Sequence, residues 1–175
     1  MAKTCLVCQI ANGSIPSKKI YEDELILAVL DVNGANPGHC FVIPKQHYPI
    51  IEQVPDYEVA RLFTVANKIS TAIFESLQVQ GTNIFVANGI PAGQTVAHFM
   101  INVIPRKEND GINLQWQPKS LSEEEMSTVE LKLKEHSKNI GGFQKEERKK
   151  IDVPKPVVVD EDEEEYSSMQ MRRLP

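Results

Sequence analysis

Apolar residues recur along this chain in two rhythms. Between Asp56 and Leu77, the residues Val59, Leu62, Phe63, Ala66, Ile69, Ile73 and Leu77 return every three or four positions. That spacing builds one apolar stripe and predicts a long helix facing the core. The flanking segments follow strand patterns instead. Ile20–Glu22 predicts a short strand, and Glu24–Val32 is mainly apolar before the turn-rich Asn33–Gly38. His39–Pro44 predicts the antiparallel partner, joined through Pro37 and Gly38. Gly81–Ala87 predicts a further strand. After it, His98, Met100, Asn102 and Ile104 alternate with Phe99, Ile101 and Val103, so Val96–Pro105 predicts a half-buried neighbour with one polar face.

The pattern weakens toward the C-terminus. Ser120 or Ser122 caps a helix whose first turn holds Glu123–Glu125, and Gly141-Gly142 stops it after about Asn139. Its apolar positions (Met126, Val129, Leu131, Leu133) are few, which predicts a surface or interface helix. Phe143–Lys150 is basic, and six consecutive acids occupy Asp160–Glu165. Such a run repels itself and cannot pack in a core, so a solvated, disordered tail is expected, with docking to a basic partner as the sharper alternative. The expected division is a domain over residues 1–115, a helical extension over 116–150 and an acidic tail over 151–175.

Length and charge narrow the function classes. A chain of 175 residues buries one ordinary core with an extension to spare. A net charge of −5 is no nucleic-acid footprint, and no apolar run is long enough to span a bilayer. The opening MAKTCLVCQ lacks the apolar stretch of a signal peptide, so a cytoplasmic protein is expected, with three cysteines as thiols or metal ligands. Cys5 and Cys8 form a CxxC pair suited to a metal, to structural thiols or to redox chemistry. Two cysteines cannot close a tetrahedral zinc site, and the chain offers His39, His47, His98 and His136 as further donors. The loop Asn88–Thr95 is rich in Gly, Pro and small polar residues and is expected to turn tightly and hold an anion. Asp31, at a strand end, suits a turn cap or a ligand contact.

Three motifs, PGHCFVIPKQH (Pro37–His47), NGIPAGQTVAH (Asn88–His98) and FMINVIPR (Phe99–Arg106), resemble the histidine triad superfamily in content and order. The resemblance covers about residues 1–115, with the predicted long helix between the first motif and the second. It implies an α+β fold in which an antiparallel sheet of about five strands packs on that helix, and a homodimer whose sheets join side by side. It also implies a zinc-bearing type, with Cys5, Cys8, His47 and His98 as ligands. Four such ligands leave no open position, so this zinc would be structural. For a purine nucleotide, the resemblance sets Asp31 against the ribose hydroxyls, Ile20 and Val32 beside the base, and Asn88, Gln94 and Thr95 at the phosphate, helped by amides around Gly93. Cys40 is expected to be a buried apolar residue, His39 to pack or hydrogen-bond near the sheet, and His136 to be an exposed helix residue.

The departure lies at the working centre. Where the family has His-x-His-x-His, this chain reads His98-Phe99-Met100-Ile101-Asn102. The family's middle histidine attacks phosphorus, whereas the thioether of Met100 has no proton to lose and forms no useful intermediate. Asn102 can hydrogen-bond phosphate but cannot change charge as histidine does. The expectation is a degenerate histidine triad protein that binds a nucleotide without covalent nucleotidyl transfer, and is therefore not an enzyme of the usual kind. Two alternatives stand beside it. One is a hydrolase of nucleoside phosphoramidates or dinucleoside polyphosphates with residual activity. The other is a zinc-stabilised binding module of a macromolecular assembly, contacting its partner through residues 112–175.

Overall fold

Ile26–Val29 are buried without a polar break because the sheet they belong to is covered on both faces. The computed structural model describes residues 5–138 and 140, which include α1 (Leu6–Ala11), β1 (Lys19–Glu22), β2 (Ile26–Leu30) and β3 (Cys40–Pro44). Then follow α2 (Asp56–Leu77), β4 (Gly81–Phe85), β5 (Ile101–Arg106) and α3 (Glu123–His136). The five strands form one sheet in the order β1-β2-β3-β5-β4, and every neighbouring pair is antiparallel. This is the α+β architecture expected.

Period-two alternation sorts each central strand between two layers. Ile26 and Ala28, Cys40 and Val42, and Ile101 and Val103 pack with Leu62, Ala66, Ile69 and Ile73 of α2. Leu27, Val29 and Ile43 face the other way and pack with Val7 and Ile10 of α1 and with Phe41 and Met100. Cys40 is fully buried on the α2 side, and burial pushes its thiol up to about 12. It is core, as expected.

The predicted helix at Asp56–Leu77 has those bounds. Ser122 caps α3 with a full capping box, its hydroxyl accepting from the Glu125 amide while the Glu125 carboxylate accepts from the Ser122 amide. No residue of α3 is buried, and His136 is exposed. The last strand corrects the expectation: it starts at Ile101, not at Val96. The His98 amide donates to the Val96 carbonyl (2.8 Å), so the chain bends there and His98 is buried instead of standing on an open polar face. Helix α1 has only six residues and no side-chain cap, and no periodic pattern announces it. The described residues belong to one unit, which ends at Lys145; the basic Phe143–Lys150 and the acidic tail lie outside them. Among the described residues, no helix is long and apolar enough to cross a membrane.

One buried charge is left half-partnered. Glu58 of α2 is 2% exposed, accepts from the Tyr48 hydroxyl at 3.1 Å through Oε2, and has no partner for Oε1 among the described residues. Burial raises its pKa above the ordinary carboxylate value. The raised folded value means that the neutral form is favoured, so stability is full below the ordinary value and falls as pH rises through the folded one. Glu58→Gln is therefore expected to raise the melting temperature by about 2–4 °C near pH 8 and to leave it unchanged near pH 4. Calorimetric melting at both pH values checks this; an equal shift at both would contradict it.

Candidate metal centre and pocket

The four expected metal ligands meet between α1 and the ends of β3 and the loop before β5. Cys5 is the N-cap of α1 and Cys8 lies one turn on, so both sulfurs share a side of the helix. His47 follows β3, and His98 follows the bend at Val96. Their donor atoms all lie within 4.8 Å of one another. The His98 Nε2 lies 3.0 Å from the Pro44 carbonyl oxygen. A carbonyl only accepts, so Nε2 carries the proton and Nδ1 turns a lone pair toward the cysteines. Burial lowers the pKa of His98, which keeps the ring neutral and able to ligate.

The spacing fits an ion. His47 Nδ1 and His98 Nδ1 are 3.3 Å apart, and Cys8 Sγ lies 3.3 Å from His47 Nδ1. Cys5 Sγ and Cys8 Sγ each lie 3.6 Å from His98 Nδ1. A tetrahedron with bonds of zinc length has N···N edges of about 3.3 Å and S···N edges of about 3.6 Å. Cys8, raised to about 11 by burial and by its neighbour Cys5, keeps its proton until a cation displaces it.

The second feature lies on the sheet face opposite α2. A pocket of about 230 Å³ is lined by Asp31 after β2, His39 before β3, Gln94 and Thr95 of the preceding loop, and Met100 and Asn102. Phe41 and Phe85 contribute apolar walls. Asp31, Gln94, Thr95 and the two departing triad positions are thus together. Asn88 is not in this lining; its Oδ1 accepts from the Ile51 amide (3.1 Å) and its Nδ2 donates to Glu52 (2.8 and 3.0 Å). Nor are Ile20 and Val32, which are 45% and 88% exposed.

Hydrogen bonds fix the loop from within. Gln94 accepts from the Gly89 amide (2.8 Å) and donates both amide hydrogens, to the carbonyls of Pro49 (2.7 Å) and Val96 (2.9 Å). The Gly93 and Gln94 amides donate to Ile90 and Gly89, so they face into the loop. Gly93 has φ +90°, a backbone turn that a side chain would strain. His39, expected to pack or hydrogen-bond near the sheet, is buried in the lining: its Nδ1 accepts from the Ala35 amide (3.0 Å) and lies 3.6 Å from Asp31 Oδ2, and its Nε2 donates to Asn102 Oδ1 (3.3 Å). The alternation His39–Phe41–Ile43 was the signal that puts it on the pocket side.

Comparison with known proteins identifies the family. A model of the HIT domain family matches residues 12–109. An uncharacterized HIT-like protein of Methanocaldococcus jannaschii is 44% identical over 107 residues, 61% of this chain and 82% of its own length. The adenylylsulfatase HINT3 of Arabidopsis thaliana is 40% identical over 117 residues, 67% of this chain and 58% of its own length. Among solved structures, a zinc-bound histidine triad family protein of Mycobacterium smegmatis superposes with a TM-score of 0.61 at 36% identity, covering 66% of this chain and 84% of that one. On its motifs, its sheet order and the family match together, the chain belongs to the HIT domain family.

Proposed function

We propose that this protein binds a purine nucleotide in the pocket beside Met100 and does not carry out covalent nucleotidyl transfer. The observation that carries the reading is the placement of the triad positions. Met100 and Asn102 line the pocket, while His98 is turned to the cysteines and the Pro44 carbonyl. A covalent step needs an activated nucleophile, and a thioether supplies none. In this reading Asp31 takes the ribose hydroxyls, Thr95 and Asn102 donate to the phosphate, and Asn88 and Gln94 hold the loop that carries Thr95.

A structural zinc on Cys5, Cys8, His47 and His98 completes the reading. It is supported by the donor spacing and by the likeness to a zinc-bound relative. It would tie α1 to the sheet and leave no open position for chemistry. The protein is read as a cytoplasmic homodimer. Support comes from three free cysteines and from the edge strand β4, whose Ile84 and Phe85 are exposed. A macromolecular partner on the C-terminal extension is supported by the exposed Val129 and Leu133 of α3. The rival reading, hydrolysis without the usual nucleophile, draws on the likeness to an adenylylsulfatase.

Titration of the zinc-loaded protein with AMP and GMP by calorimetry is expected to show saturable binding at one site per chain, with light scattering reporting a mass of two chains. No heat and no thermal shift at millimolar nucleotide would contradict the pocket assignment. A monomeric mass would contradict the dimer.

A further inference from the structure

We propose that the pocket selects its ligand by charge, taking a nucleoside or a singly charged nucleoside 5′-phosphodiester in preference to a doubly charged phosphate monoester. The inference rests on the nucleotide reading above and goes further, naming the class of phosphate that fits. Its starting point is the composition of the lining, which among the described residues contains the Asp31 carboxylate and neither lysine nor arginine.

Among the described residues, the side chains of the lining are poorly placed to answer a second negative charge. At positions 100 and 102, a thioether and an amide stand where imidazoles could have gained a proton. The His39 ring is already engaged on both sides: its Nδ1 accepts the Ala35 amide and faces the Asp31 carboxylate at 3.6 Å, while its Nε2 proton goes to Asn102 Oδ1. This bond orients the Asn102 amide with its neutral Nδ2 end as the remaining donor. Gln94 has both amide hydrogens engaged with carbonyls, and the Gly93 and Gln94 backbone amides face into the loop, so no backbone nest is formed there. The nearest cation along β5, Arg106, is paired with Asp110 at 2.6 Å. What remains is a small set of uncharged donors beside one carboxylate.

Uncharged donors can satisfy one phosphate charge. A second charge would sit in a partly enclosed space with Asp31 and, among the described residues, no lysine or arginine, where like-charge repulsion is poorly screened. A factor of about ten in affinity is the expected scale for one extra charge in such surroundings. The −5 net charge of the chain works in the same direction.

The test is calorimetry on the zinc-loaded full chain near pH 8, where the phosphate of AMP is almost wholly dianionic. The probes are AMP, its 5′-methyl phosphodiester and adenosine. The phosphodiester is expected to bind about tenfold more tightly than AMP, adenosine no more weakly than AMP, and the gap to narrow as salt is raised. In Met100→Lys, which adds a cation to the lining, AMP is expected to equal or overtake the phosphodiester. Should AMP bind the natural chain as tightly as the phosphodiester or more so, the charge proposal is overturned while the nucleotide reading stands. If none of the three probes binds at millimolar concentration, both fall together.

Discussion

Cys8→Ser is expected to strip the protein of zinc and to lower its melting temperature by about 10 °C or more. The size follows from what the metal would hold. Helix α1 has six residues and no side-chain cap, too little to persist by its own hydrogen bonds. Its apolar anchors are Val7, Ile10 and Ala11, packed on Leu27, Val29 and Ile43. Without a cation, His47 Nδ1 and His98 Nδ1 are left 3.3 Å apart, and in Cys8→Ser the buried His98 ring keeps only the weak thiol contact of Cys5 at 3.6 Å. Loss of about 3–5 kcal/mol is a partial share of the roughly 10–16 kcal/mol that a structural zinc can contribute to folding. For a domain of this size that corresponds to a fall of about 10–15 °C.

Elemental analysis and thermal melting, run on the natural chain, on the variant and on the natural chain after chelation, check this result. The chelated natural chain should melt with the variant. A natural chain that carries no zinc and melts with Cys8→Ser would remove the metal from the account. The core on the α2 side does not depend on the cluster, so the variant is expected to keep its sheet and long helix.

The second large effect is a gain. Met100→His combined with Asn102→His is expected to raise hydrolysis of a nucleoside phosphoramidate by at least about a hundredfold over the natural chain. Both positions already line the pocket, and histidine is close to methionine in volume, so the walls made by Phe41 and Phe85 need little adjustment. His39, whose Nε2 now donates to Asn102, remains to hydrogen-bond the new side chain at 102. Asn102→His alone leaves a thioether at the centre and should stay near the natural rate. Equal rates in the natural chain and the double variant would show that Met100 is not the missing element.

These results bear on how much of the protein its sequence reveals. The helix at Asp56–Leu77 was legible to the residue because seven apolar positions keep one period over about five turns. The strands β2 and β3 were legible because apolar runs meet turn residues at Asn33–Gly38. The bend before β5 was not, since the alternation of apolar and polar residues continues through His98–Met100 while the backbone turns. What turns it is remote in the chain: His98 reaches the Pro44 carbonyl, 54 residues earlier, and Cys5, 93 residues earlier. Local periodicity carries no record of such contacts.

The candidate site was legible by type more than by role. The motif resemblance brought Cys5, Cys8, His47 and His98 into one set, and the structure brings their donor atoms together. In the loop, Asn88 and Gln94 have the side chains of phosphate donors, yet their hydrogen bonds hold Glu52, Ile51, Gly89, Pro49 and Val96. A polar residue in a Gly-rich loop can serve the ligand or the loop, and only the backbone path decides between them.

The most direct test of the central claim measures binding and turnover on one sample. Zinc-loaded natural protein is mixed with excess nucleoside phosphoramidate, occupancy is read by calorimetry, and the nucleotide is then recovered and assayed for hydrolysis. The account predicts a saturated site with the substrate recovered intact. Release of free nucleotide in many turnovers per chain, abolished by nucleotide competitors, would contradict it.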